Sequence, residues 1–393
     1  MKRFSPRLRA ALFFVLLLGF WAINLPLQRD YFHATGDVTL YARYARQFLA
    51  TPPQFPREYP PLTAFLFALP QLITPNAYLI GWSLLALVAT WVVVVLTDSQ
   101  SVHGGWLLLY MCVGGLAAVL FRFDSLVVLL TVIAFVLARQ QRWSLAQLCL
   151  ALAAALKLYP VILMPLIVIQ AMNTAPPAVA TPNYRAAGRA TLWGMVWGSG
   201  LLAVTWWLAA PQLRAMLGYH TARPLQTEAI AASIAWLTGP VSTVWSFGSA
   251  NLVAPHVAWL PGLLTPLQAV LLIAVYALLW RRRVTTAGAW ALALLASIAT
   301  SKVFSTQYIL WVLPFIVLAG ERRWLWLTIC VATTAIYPIA FRAFEPFIGQ
   351  SYPWWFALTV ALRNGLWLVA CGVGLWDWRD GMGVGLSGEN NKL

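Results

Sequence analysis

The sequence predicts an all-α protein that crosses a membrane many times. Of its 393 residues, 61% are hydrophobic and only 9% are charged, and apolar runs of near-spanning length recur from residue 8 to residue 376. A transmembrane helix needs about 20 consecutive apolar residues. The 22 tryptophans and 13 tyrosines suit the aromatic belts at the two membrane surfaces. We expect about 10–13 transmembrane helices in a single domain over residues 1–380, with a flexible cytoplasmic tail at 381–393.

The first helix is expected near 8–27, and a long first external loop follows at 28–60. The start of the chain is like a signal peptide, but no small-residue cleavage site follows, so we expect the helix to be retained. Inside the loop, apolar Val38, Tyr41, Ala45 and Phe48 recur at helical spacing. This spacing predicts a helix that lies along the membrane surface, with Asp37 at its start.

Several of the next apolar runs are too short to cross a membrane upright. The early runs cover 62–73, 77–96, 106–120, 125–138, 145–156 and 161–171, and the later helices are expected near 190–210, 257–280, 285–301, 306–320, 324–341 and 354–376. Charges stand at two early junctions, with Arg122 and Asp124 at one and Lys157 at the other. A charge near the bilayer centre costs about 3 kcal/mol, so such groups mark polar sites. Broken helices with charged junctions are one way to build a site inside a membrane protein.

The net charge of +15 is concentrated in short linkers between apolar runs. Such linkers contain Arg139 and Arg142, Arg185 and Arg189, Arg281 to Arg283, and Arg322 and Arg323. This distribution marks cytoplasmic linkers, and no nucleic-acid-binding module is present. The segments 28–60, 211–255, 301–306 and 341–353 are then external. One membrane face therefore collects the charged and polar residues of the first loop, of both junctions and of segment 220–228, together with Lys302.

Several kinds of chemistry have no support in the sequence. It contains no Walker A loop, no glycine-rich dinucleotide turn and no nucleophile elbow. The four histidines lack ligand spacing, so we expect no metal site, and no Asp-x-Asp motif is present to hold a nucleotide sugar through a divalent ion. The four cysteines are widely spaced in apolar runs, as buried hydrophobic residues are.

The remaining pattern combines carboxylates and cations on one outer face. A glycosidase needs a second carboxyl group to protonate its leaving group. A phosphate, in contrast, leaves as an anion and needs only positive charges to hold it. A single carboxylate can then deprotonate an attacking hydroxyl group. The pattern favours transfer from a phosphate-linked donor.

Five short motifs carry a resemblance to a known family. They are Gly36-Asp37-Val38 with Tyr41 and Glu58-Tyr59-Pro60-Pro61-Leu62; Phe121-Arg122-Phe123-Asp124; Leu156-Lys157-Leu158-Tyr159-Pro160; the segment 219–228, which contains His220, Arg223, Gln226 and Glu228; and the segment 304–311, which contains Gln307 and Tyr308. In this order they resemble motifs of the GT-C glycosyltransferases. More narrowly, they resemble family GT87, the polyprenyl-phosphate-mannose-dependent mannosyltransferases.

The resemblance implies a GT-C-like helix bundle and an inverting transfer on the non-cytoplasmic face of a bacterial-type plasma membrane. The implied donor is a polyprenyl-phosphate sugar, most often mannose, and the implied acceptor is a lipid or glycan. No separate cofactor and no nucleotide are implied. Asp37 takes the role of catalytic base. The implied donor- and acceptor-binding residues are Glu58, Arg122, Asp124, Lys157, Tyr159, His220, Arg223, Gln226, Glu228, Lys302, Gln307 and Tyr308.

The chain departs from the family pattern at two places. Many GT-C enzymes have paired acidic residues in the first loop, whereas Asp37 has no adjacent acidic partner. Phe121-Arg122 stands where the family has Gly-Asn. The additional cation, Arg122, could change which donor or acceptor the site selects.

Each candidate residue also has a purely structural interpretation. Asp37 could cap the surface helix, and Glu58 could pair with Arg57. Lys157 could extend its ammonium group from a helix end to the membrane surface. Arg223 and Glu228 could pair with each other, and Gln307 and Tyr308 could be ordinary membrane-interface residues.

A transporter or flippase for an anionic polyprenyl-linked lipid is the main rival function. It would use the same buried cations and broken helices, but such carriers bind substrate near the midplane between internal repeats. No repeat between the halves is evident here, and the charged sites fall on one face. A non-catalytic membrane scaffold would not need so many charged junctions on one side.

The basic linkers predict the orientation of the chain. The N-terminus and Arg281 are expected on the cytoplasmic side, and Asp37 and His220 on the external side. Single cysteines introduced at these positions should react with a membrane-impermeant reagent from outside at 37 and 220 and not at 281. Labelling at 281 in intact cells would contradict the orientation.

Overall fold

A computed structural model of the protein describes residues 4–101, 103–174, 182–320 and 322–380. The expected tail at 381–393 and the basic residues Lys2 and Arg3 lie outside the described residues. Within these ranges the model confirms an all-α polytopic membrane protein. Six described helices are long and apolar enough to cross a membrane, and six shorter apolar helices of 10–17 residues accompany them.

The α-helices and the two β-strands have the following bounds in chain order. They are α1 (Pro6–Pro26), α2 (Gly36–Leu49), α3 (Thr63–Ile73), α4 (Tyr78–Ser101), α5 (Gly104–Gly114), α6 (Asp124–Arg139), α7 (Trp143–Leu156), α8 (Met164–Met172), α9 (Tyr184–Ala222), α10 (Ile230–Thr238), β1 (Ser242–Ser246), β2 (Ser249–Val253), α11 (Leu260–Trp280), α12 (Thr286–Ala299), α13 (Ile309–Ala319), α14 (Arg323–Thr334), α15 (Phe341–Phe344) and α16 (Trp354–Asp380).

Helix α2 is the amphipathic helix expected in the first loop. Its apolar face buries Val38, Tyr41 and Ala45. The Tyr41 ring stacks on Phe67 of α3, with ring centroids 4.5 Å apart, and meets the edge of Phe123 at 5.9 Å. These contacts join α2 to α3 and to the segment just before α6. Because Asp37 lies in the first turn of α2, the same packing fixes the position of its carboxylate.

Both charged junctions are breaks in helical structure, as the sequence predicted. Helix α7 ends at Leu156, and Lys157 is extended, with φ −156° and ψ 132°. A 3₁₀ turn, Tyr159–Leu163, follows with Pro160 near its start and leads into α8. Proline lacks a backbone N–H and disfavours helix in the residue before it, so the chain cannot run straight from α7 into α8. At the other junction, α5 stops at Gly114, and a non-helical segment leads to α6.

The segment 211–255, expected only as an external connection, contains regular secondary structure. Helix α9 continues to Ala222 across a break at Ala209, where φ is −156° and ψ is 46°. The break precedes Pro211, whose ring clashes with the preceding helical turn. Beyond α10, β1 and β2 form an antiparallel hairpin that pairs Ser246 with Ser249. Its turn residues, Phe247 and Gly248, have positive φ values of 51° and 66°, as tight two-residue hairpin turns require.

The described helices form two apolar cores. The larger core includes buried residues of α4, α6, α7, α12 and α13. The smaller core joins α10, the hairpin, α15 and the start of α16 around residues such as Leu252, Phe344 and Phe356. The candidate site lies where elements of the two cores meet, because its walls include both Trp311 of the larger core and Ala250 of the smaller one.

Candidate active site

A cavity of about 560 Å³ brings together most of the residues singled out from the sequence. Its walls come from the start of α2, the loop before α3, the segment before α6, the break between α7 and α8, the end of α9 and the hairpin. The predicted site residues on these walls are Asp37, Glu58, Arg122, Lys157, Tyr159, His220, Arg223, Gln226, Glu228, Gln307 and Tyr308. The sequence positions of these residues extend from the first loop to α13. The fold therefore makes one site from separate motifs.

Asp124 lies beneath the cavity wall, only 1% exposed. Its Oδ1 atom accepts hydrogen bonds from Lys157 Nζ at 2.7 Å and from Trp311 Nε1 at 2.5 Å. A buried carboxylate is costly unless it is paired and hydrogen-bonded, and this one has both kinds of partner. Asp124 thus joins the start of α6, the break after α7 and helix α13.

Lys157 is surrounded by aromatic rings as well as by its carboxylate partner. Its Nζ atom lies 4.9 Å from the ring centroid of Phe123, 5.2 Å from that of Tyr308 and 5.0 Å from that of Trp311. The negative faces of such rings attract an ammonium group. The Tyr159 ring stacks on the Trp311 ring, and the two centroids are 4.0 Å apart. The ammonium is therefore held at the cavity instead of extending to the membrane surface.

Asp37 forms an ion pair with Arg122 across the cavity. The N-cap of α2 is Thr35, and no side-chain hydrogen bond caps this end of the helix. The carboxylate of Asp37 therefore pairs with Arg122 at the cavity and does not cap the helix. The Asp37 and Arg122 side chains are 23% and 18% exposed, so both remain accessible from the cavity.

Glu58 is held by tyrosine hydroxyl groups and not by Arg57. Tyr44 donates to Glu58 Oε1 at 3.1 Å, and the Tyr219 hydroxyl lies 3.5 Å from Oε2. The backbone oxygen of Glu58 is 3.1 Å from His220 Nε2. Burial raises the pKa of Glu58, while the Tyr44 hydrogen bond and the charge of Arg223 oppose the shift. This carboxyl group connects the first loop to the end of α9.

Arg223 and Glu228 do not form an ion pair with each other in the described part of the chain. Arg223 donates through Nη2 to Ser249 Oγ at 3.0 Å. Arg223 Nε and Glu228 Oε2 are both buried, and neither has a hydrogen-bond partner among the described residues. Burial raises the pKa of Glu228 to about 7, against the lowering effect of Arg363, Arg122 and Arg223. Both residues line the cavity.

Lys302 and Gln226 hold the segment that follows α9. Lys302 Nζ donates to the backbone oxygens of His220 at 3.3 Å and Thr221 at 2.9 Å, so it lies behind the cavity wall. Gln226 Oε1 accepts from the backbone N–H of Phe304 at 3.0 Å, and Gln226 Nε2 donates to Ser305 Oγ at 3.1 Å. These bonds fix the 219–228 motif against the 304–311 motif.

Sequence reasoning missed several residues at the site. Tyr219, Trp245 and Tyr337 line the cavity, and Phe247 at the hairpin turn accepts a 2.6 Å hydrogen bond from the Tyr219 hydroxyl. Behind the wall, Arg363 of α16 contacts Glu228. Tyr219 is the first residue of the 219–228 motif and could have been included. The others stand in segments without a recognisable motif, and only the folded chain brings them to the site.

The fold and the cavity together define a polytopic membrane protein with a polar site, lined by acids and cations, that is built at helix breaks. A sequence profile described as glycosyltransferase family 87 matches residues 58–306, more than half of the chain. The chain therefore belongs to glycosyltransferase family 87 and is a membrane glycosyltransferase. Comparisons with curated proteins and with solved structures gave no significant match.

The Asp124 contacts predict a specific loss of stability. Asp124→Asn keeps the side-chain size but leaves the Lys157 ammonium without its counter-charge, and breaking a buried pair in this way should cost about 3 kcal/mol. Thermal unfolding of the detergent-solubilised protein measures the loss. The matched control is Asp377→Asn, which breaks the exposed pair with Arg322 and should cost less than about 1 kcal/mol. Equal melting temperatures for the two variants would contradict the assignment.

Proposed function

We propose that the cavity transfers a sugar, mannose in the family's usual case, from a polyprenyl-phosphate donor to a hydroxyl group of a lipid or glycan acceptor. The transfer inverts the anomeric centre and takes place on the non-cytoplasmic face of a bacterial-type plasma membrane. One observation carries the proposal: the carboxylate of Asp37 and the cations Arg122, Lys157 and Arg223 line the same cavity. Membership of family 87 supports the glycosyl transfer itself.

The cations suit a phosphate leaving group. Arg223 lines the cavity and uses Nη2 for Ser249, which leaves further guanidinium N–H groups, and Lys157 presents an ammonium group with hydrogen-bond donors beyond the one used by Asp124. Charge-assisted hydrogen bonds from such groups stabilise the negative charge that develops on the departing phosphate. The polyprenyl phosphate can then leave without being protonated.

Asp37 acts as the base in this scheme. Its carboxylate takes the proton of the acceptor hydroxyl as the hydroxyl oxygen bonds to the anomeric carbon. The bond between that carbon and the phosphate oxygen breaks, and the electron pair leaves with the polyprenyl phosphate. Attack from the face opposite to the phosphate inverts the configuration. Arg122, now paired with Asp37, is placed to turn towards the donor phosphate and release the carboxylate.

Neutralising a donor-binding cation should weaken both donor binding and transfer. We expect Lys157→Gln and Arg223→Gln each to lose roughly 2–4 kcal/mol in total, as for lost transition-state electrostatics. The measurements are donor affinity and the rate of label transfer from polyprenyl-phosphate-mannose. Arg43→Gln is the control, because Arg43 lies on α2 outside the cavity wall. Wild-type affinity and rate in both folded cavity variants would refute the phosphate role.

Replacing the base should stop the reaction while leaving the donor bound. Asp37→Asn keeps the size of the side chain and removes its basicity, and loss of a general base typically costs about 10²–10⁴ in rate. Donor binding and the melting temperature should change little by comparison. The assay uses labelled polyprenyl-phosphate-mannose with a panel of lipid acceptors. Near-normal turnover would show that another carboxyl group accepts the proton, with Glu58 the next candidate on the cavity wall.

A further inference from the structure

Arg363 is a fully buried arginine in the middle of helix α16. Its guanidinium lies over the Phe304 ring, 3.6 Å from the centroid, and its Nη2 atom donates to the backbone oxygen of Glu228 at 2.8 Å. The residue lies beyond the segment 58–306 that matches the family and outside every motif used above. A buried charge in a membrane protein is expensive and marks a functional group by default.

The segment 225–229 is already fixed by neutral groups. Asn364 Nδ2 lies 3.3 Å from the Glu228 backbone oxygen, 3.1 Å from that of Ala229 and 2.8 Å from Ser233 Oγ. Tyr352 donates its hydroxyl to the backbone oxygen of Thr227 at 2.8 Å. Arg363 therefore donates to the same Glu228 backbone oxygen that the uncharged Asn364 amide already contacts. Backbone anchoring alone does not account for a guanidinium at this position.

Among the described residues, Glu228 is the acid on which the charge of Arg363 can act. Glu228 is 4% exposed and lines the cavity, and its Oε2 atom has no hydrogen-bond partner among the described residues. Arg363 Nε and Nη1 are buried and equally unpartnered within that part of the chain. An opposite charge close to a buried carboxyl group favours its ionised form. The other charged or titratable groups around Glu228 are Arg122, Arg223, Tyr308, Tyr337 and Tyr352.

We propose that Arg363 is a positioning residue for the active site, whose charge favours the ionised form of Glu228 at the cavity wall, where Glu228 accepts hydrogen bonds from sugar hydroxyl groups. The action of Glu228 on the sugar rests on the proposed glycosyl transfer. The coupling between Arg363 and Glu228 does not, because it is a property of the folded protein without substrate. The two parts can therefore be tested separately.

A double-mutant cycle tests the coupling without any activity assay. Glu228→Gln, Arg363→Met and the double variant are compared by thermal unfolding at roughly pH 8, where a carboxyl group with a pKa of about 7 is mostly ionised. Each single variant removes one of two opposite buried charges and should melt lower, and the double variant should recover much of the loss. A double variant that folds when Arg363→Met alone does not would also support the coupling. Additive losses, or a double variant that fails to fold, would overturn it.

The pH dependence of transfer tests the positioning role. The ionised carboxylate of Glu228 accepts hydroxyl hydrogen bonds more strongly than the protonated acid. The rate should therefore fall as pH falls through the pKa of Glu228, and Arg363→Met should raise the pH at which the rate falls by about 1 pH unit. Arg363→Lys keeps the charge, so the pH at which the rate falls should stay near its wild-type value. Asn364→Ala removes only neutral contacts, so it should lower the rate without changing the pH at which the rate falls. An unchanged pH profile in Arg363→Met overturns the role, whereas absence of transfer in the wild-type protein would count against the proposed function and leave the coupling result intact.

Discussion

The buried contact between Lys157, Asp124 and Trp311 fixes the base of the cavity. Asp124 stands in the first turn of α6, Lys157 at the break after α7 and Trp311 in α13. Because a buried carboxylate needs both a counter-charge and hydrogen bonds, these three elements must meet for any of them to be stable. The positive end of the α6 dipole adds to the stabilisation of the carboxylate. The same contact holds Lys157 inside a ring of aromatic side chains, where its charge faces the cavity wall.

Three acids around the cavity each have a cation close to them. Asp37 has Arg122, Asp124 has Lys157, and Glu228 has Arg363 behind it. Arg223 stands on the wall in addition to these pairs. Glu58 and Glu345 also line the cavity, so its wall carries both acids and cations, and the cations lie where an anionic donor would contact them. Effective interaction energies rise as water is excluded, so a bound phosphate would feel these charges more strongly than a phosphate in solution.

The sequence predicts those parts of the site that break an apolar pattern. Arg122, Asp124 and Lys157 are conspicuous because charge in an apolar run is costly, and α2 is visible because its apolar residues recur at helical spacing. The hairpin was not predictable, since each of its strands has only five residues. Nor was the role of Arg363, whose partners are a backbone oxygen and a ring that lie 135 and 59 positions away and meet it only in the folded chain. The depth of Asp124 was also hidden, because spacing alone does not show whether a junction residue faces a cavity or lies below it.

The segment that precedes α6 explains why the departure at Arg122 matters. Arg122 and Asp124 are two residues apart, and buried Phe121 and Phe123 on either side of Arg122 anchor this stretch in the apolar core. Arg122 pairs with the proposed base, while Asp124 pairs with the proposed donor-binding lysine. A single short stretch of backbone therefore sets the distance between the base and the phosphate site. Where the family pattern has Gly-Asn, the Asp124 contact can be kept but the cation beside Asp37 is missing. In the proposed reaction, the added charge of Arg122 would hold the proposed base until a donor phosphate competes for it.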